Sequence, residues 1–117
     1  MKYICLFYRD EKDMVAMRKT EADTCTAESL AYDDALRQAG HLLVAHALQP
    51  VATATTVRMR EGKLSATDGP VAETTEQLGG FILIEARDLN AAIQVAARIP
   101  LARRGSIEVR PIQELRP

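Results

Sequence analysis

Two segments of this 117-residue chain are apolar on both faces of any strand they could form: residues 3–8 (Tyr-Ile-Cys-Leu-Phe-Tyr) and residues 81–85 (Phe-Ile-Leu-Ile-Glu). Successive side chains of a strand point to opposite faces, so such segments belong at the centre of a sheet covered on both sides. Residues 106–110 alternate instead, with Ile107 and Val109 against Glu108 and Arg110, as an edge strand does. Two helical stretches accompany these strands. In the first, Ala22, Cys25, Ser29, Tyr32 and Leu36 recur at three- and four-residue steps. Thr20 is its expected N-cap, with Asp23 at the capping-box spacing, and Gly40 suits a left-handed C-cap. In the second, Asp88 is the expected N-cap, Leu89, Ala92, Ile93, Ala96 and Ala97 share a face, and Pro100 ends the run. Two helices can cover only one face of a sheet. The other face therefore calls for a second copy of the chain, in a homodimer with sheets packed about 10 Å apart.

The remaining segments complete the order. Residues 9–19 read as a loop or a short helical turn, and residues 41–48 as a second strand stopped by Gln49-Pro50. Residues 53–60 and 63–67 flank Glu61-Gly62 as a hairpin, and Asp68-Gly69-Pro70 is a loop. The sequence β-α-β, hairpin, β-α-β predicts an α+β fold. It is a ferredoxin-like split βαβ sandwich with an antiparallel sheet and an inserted hairpin. Surface scaling from the 12.9 kDa mass gives about 6,300 Å² for a compact monomer, enough for a single core and hence one domain over residues 1–117.

Composition narrows the partners. Fifteen Lys and Arg against sixteen Asp and Glu leave a formal charge of −1, which offers nucleic acid no basic field. No stretch reaches the roughly eighteen apolar residues of a membrane span. Two cysteines, Cys5 and Cys25, are too few for a disulfide scaffold and read as free thiols in a cytoplasmic protein.

From about Leu36 onward the chain carries an ordered series of strings: Ala39-Gly40-His41-Leu42, Thr53-Ala54-Thr55-Thr56-Val57-Arg58, Thr67-Asp68-Gly69-Pro70, Glu76-Gln77-Leu78-Gly79-Gly80-Phe81, Ala96-Ala97-Arg98-Ile99-Pro100 and Gly105-Ser106-Ile107-Glu108-Val109-Arg110-Pro111. With these it resembles the YCII-related family, in particular its DGPF-domain branch. The resemblance implies a dimeric α/β barrel of ferredoxin-like subunits. It also implies a His and an Asp in a cleft as proposed catalytic groups, and for the branch a regulatory link to extracytoplasmic-function sigma factors. Val71 stands where the branch signature has Phe, which implies a roomier pocket if that position lines one.

Among the chemistry-bearing residues, His41 and His46 are the chain's two histidines and titrate nearest neutral pH. Their five-residue separation puts them on opposite faces of a regular strand, unless a bulge intervenes, and makes them poor joint metal ligands. His46 is the preferred proton-transfer group because it sits in an apolar run. Asp68 heads a rigid Asp-Gly-Pro loop and is its expected carboxylate partner, with Glu73 five residues on; turn capping is the plainer role for Asp68. Arg58 and Arg110, with Arg60, are expected on strands flanking the sheet, where each could hold a substrate carboxylate or stay solvated. No cofactor and no metal are expected. Two functions compete: a cofactor-free lyase or isomerase acting on a small organic acid, with His46 and Asp68 catalytic and His41, Glu73, Arg58 and Arg110 binding substrate, or a non-catalytic module that binds a small ligand or a regulatory partner such as a sigma factor.

Overall fold

The computed structural model describes residues 1–116. Its elements run β1 (Lys2–Arg9), α1 (Glu11–Ala16), α2 (Lys19–Gln38), β2 (Leu42–Ala47), β3 (Thr55–Arg60), β4 (Lys63–Asp68), β5 (Gln77–Glu85), α3 (Leu89–Ala97) and β6 (Ser106–Pro111), with short 3₁₀ turns at Val51–Thr53 and Pro100–Arg103. Four strands form one antiparallel sheet in the order β2-β5-β1-β6. This is the ferredoxin-like α+β arrangement. The two segments apolar at both parities are the central strands, and β6 is an edge. The hairpin β3–β4 stands apart as its own two-stranded ribbon, so Arg58 and Arg60 do not flank the main sheet as expected.

Strand alternation divides the sheet. Tyr3, Cys5, Ile82 and Ile84 are buried against the helices with Leu36, Leu42, Ala92, Ala96 and Ile99. The intervening residues Ile4, Leu6, Phe81 and Leu83 lie on the opposite face and are only half-buried, with no layer of the chain over them. The chain accordingly exposes 8490 Å², against about 6,300 Å² for a compact protein of this mass. Its radius of gyration is 16.1 Å, where about 13 Å is usual for the length.

Local chemistry explains the helix ends and several departures from expectation. Gly40 (φ +80°) closes α2 in a Schellman motif: the Gly40 N–H donates to the Arg37 carbonyl (3.1 Å) and the His41 N–H to the Leu36 carbonyl (2.9 Å). His41 thus belongs to the cap, and β2 starts at Leu42. At the other end Arg18, not Thr20, is the N-cap, and no side chain caps it. Asp10 caps α1 by accepting from the Lys12 N–H, which turns the charged 9–19 segment into a short helix. Asp88 caps α3 as expected, accepting from the Ala91 N–H at 2.9 Å. The buried face of α3 is Ala92, Ala96 and, just beyond its end, Ile99, while Leu89 and Ile93 are exposed. The helix therefore presents its small side chains to the sheet and its larger ones to the outside. β5 begins four residues before Phe81, through Gly79-Gly80. A β-carbon on Gly80 would lie 2.8 Å from the His46 carbonyl oxygen, so the strand needs glycine there despite its poor β propensity.

Replacing Gly40 by Ala should lower stability by about 1 kcal/mol through backbone strain alone, because the added methyl meets nothing within 4 Å. Gly105→Ala should cost about 2 kcal/mol, because its β-carbon runs into the Tyr8 carbonyl oxygen. Urea midpoints that fall in that order, with unchanged slopes, are the expected result.

Candidate functional site

A helix over a sheet leaves a gap that large side chains normally fill. Here the inward stripe of α2 opens with small residues, Ala22, Cys25 and Ser29, and the strands below contribute Ala45, Ala47 and Gly79. Tyr32 and Leu36 fill the gap only farther along, and within α2 Leu36 alone is fully buried. The unfilled space is a cavity of about 340 Å³, within the range of small-molecule sites. Phe7, Met14, Met17, Ile99 and Leu101 make most of the remaining wall apolar.

Its polar groups are few and fixed. The Tyr32 hydroxyl donates to the Val95 carbonyl at 2.6 Å, tying α2 to α3, and burial pushes its pKa up. Asp33 is the sole carboxylate on the wall, and burial raises its pKa against the pull of Arg37. The Arg104 guanidinium bridges Glu21 (3.1 Å) and Asp13 (3.8 Å), joining α2 to α1 with its charge matched. Arg9 ends β1, lines the cavity and enters no ion pair among the described residues. Gly79 makes room for it: a β-carbon there would sit 2.8 Å from the Arg9 Nε. A free guanidinium is thus presented at an apolar cavity.

The residues singled out from sequence scatter around this site. His46 lines the cavity, and its ring meets Phe81 edge-on at a centroid distance of 5.8 Å. A bulge in β2 between Leu42 and Val44 shifts the alternation, so His46 pairs with Phe81 on the face away from the helices. His46 is also exposed in the single chain, where an apolar run had suggested depth. His41 is held elsewhere, with its Nδ1 3.0 Å from the Glu85 carbonyl oxygen. Asp68 closes β4 opposite Thr55 and is exposed; Gly69 follows at φ +105°. Glu73 is exposed in the following loop, as is Val71. Arg58 lies on the ribbon, and Arg110 donates to Glu108 at 2.6 Å. No hydrogen bond or ion pair joins His46 to Asp68 or Glu73 among the described residues. Sequence reading passed over Arg9 as part of a charged loop and did not single out Asp33. The available signal was the run of small residues on the inward face of α2.

The two thiols differ in the same geometry. Cys5 is fully buried in the sheet, and burial pushes its pKa from 9.0 to about 11, whereas Cys25 lines the cavity. Native protein at pH 8 should therefore release one equivalent of chromophore from a disulfide reagent quickly, lost in Cys25→Ser, and the second only in denaturant. Because the folded state holds the Cys5 proton more tightly than the unfolded chain, that residue's contribution to stability should be intact below pH 9 and decline between pH 9 and 11.

Among the described residues no helix is long and apolar enough to cross a membrane. The YCII-related domain model matches residues 1–116. An uncharacterised protein of Rhizobium meliloti (strain 1021) is 36% identical over 119 residues, covering 100% of this chain and 96% of that protein. The chain belongs to the YCII-related domain family.

Proposed function

We propose that this protein binds a small, largely apolar organic acid in the cavity beneath α2, and does so as a homodimer joined through the uncovered sheet face. The carrying observation is the unpaired Arg9 guanidinium at the edge of a largely apolar cavity of about 340 Å³. A guanidinium presents a rigid fork that matches a carboxylate, and removal from water strengthens that pairing. The apolar wall favours a hydrocarbon or aromatic body. The pairing of copies is supported by the half-buried Ile4, Leu6, Phe81 and Leu83, which a second sheet would cover.

Turnover of the bound acid by a lyase or isomerase reaction would draw on His46, which borders the cavity from β2 while its ring lies beside Phe81 on the other face of the sheet. Asp68 could join it only from a second copy or after movement of the ribbon, since no hydrogen bond links the two in one chain. The DGPF-branch signature supports this reading of Asp68 by resemblance, as it does the alternative of a sigma-factor partner; neither draws on the cavity.

Thermal-shift titration with small aromatic and aliphatic carboxylic acids and their amides tests the proposal. The acids should stabilise the wild type and the amides should not. Arg9→Met should weaken binding about tenfold or more, the worth of one charge-assisted hydrogen bond. Equal responses to acids and amides, or an undiminished response in Arg9→Met, would contradict it.

A further inference from the structure

The β3–β4 ribbon is amphipathic and lies outside the main sheet. Val57 and Met59 point to one face, and their cross-strand partners Ala66 and Leu64 extend it. On the opposite face are Arg58, Arg60, Lys63, Ser65 and Thr67. The apolar face is bare: Val57 is 61%, Met59 58% and Leu64 68% exposed. The base of the hairpin is closed on itself, where the Gly69 N–H donates to the Ala54 carbonyl (2.8 Å) and Thr56 Oγ1 to the Gly69 carbonyl (2.8 Å), and neither strand pairs with the main sheet. An isolated two-stranded hairpin is marginal in water, and three large apolar side chains lined up on one face is the pattern of a ribbon made to be covered.

We propose that this apolar face seats on a second copy of the chain, so that each copy reaches out a two-stranded arm to hold the other. Area favours that occupant. The chain exposes 8490 Å², roughly 2,000 Å² more than a compact protein of its mass, while a stable pair needs about 800 Å² from each partner. Position favours it too. The arm follows edge strand β2, which carries the exposed Leu43 and Val44 and is succeeded by the exposed Leu48. It would therefore extend the sheet-face interface that the proposed dimer already requires. The opposite edge carries the Glu108–Arg110 pair and offers no such apolar seat.

An isotope-filtered NOESY on an equimolar mixture of methionine-methyl-labelled and unlabelled protein reads the contact directly, with the Met59 signal assigned by its loss in Met59→Leu. Cross-peaks from the Met59 methyl to protons of the unlabelled copy are expected. Leu64→Thr, which keeps a strand former in place, should weaken self-association at least tenfold by sedimentation. A dimer whose Met59 methyl shows no intermolecular cross-peak would overturn the arm and leave the sheet-face pairing standing. A particle of 12.9 kDa throughout would overturn both, and the response to carboxylic acids decides the cavity separately.

Discussion

A sheet with two oily faces and helices enough for one is the constraint on which this structure turns. The central strands β1 and β5 place Tyr3, Cys5, Ile82 and Ile84 under α2 and α3, where they are almost completely buried. The same strands necessarily place Ile4, Leu6, Phe81 and Leu83 on the other side, because a pleated strand cannot aim neighbouring residues the same way. Burial of the second set is worth on the order of 25 cal/mol per Å² of apolar surface. A second copy can supply that burial. The large surface, the flattened shape and the separate ribbon support the pairing of copies proposed above.

The cavity follows from a second packing rule, which works by omission. Helix α2 approaches the sheet with Ala22, Cys25 and Ser29 where larger residues would close the space, and β2 answers with Ala45 and Ala47. Polar groups enter only where the backbone makes room or a bond secures them: Arg9 over Gly79, Tyr32 on the Val95 carbonyl. Apolar walls with one unmatched cation suit the amphipathic anion proposed as ligand.

Much of this was legible in the residues. The parity of residues 3–8 and 81–85 gave their central places, Glu61-Gly62 gave the hairpin turn (both at positive φ), and Gly40 gave the end of α2. What escaped was non-local. The bulge in β2 is set by pairing with β5, and it decides which way His46 faces. The early start of β5 depends on the close approach of the His46 carbonyl to Gly80, which propensity cannot foresee. On α3 the side-chain size of Leu89 and Ile93 points to a buried face that the structure gives instead to Ala92 and Ala96. Arg9 and Asp33 became visible as neighbours of one cavity only when α1, α2 and the sheet were assembled, since nothing in their spacing marks them.

Sedimentation equilibrium at micromolar concentration, on the wild type and on Leu83→Lys, tests the central constraint most directly. A charge at the middle of the uncovered face lies outside the helix-packed core, so the variant should still fold. The wild type should sediment at twice 12.9 kDa and Leu83→Lys at 12.9 kDa, with helix and strand content unchanged. A wild type that sediments as a single 12.9 kDa chain would contradict the account.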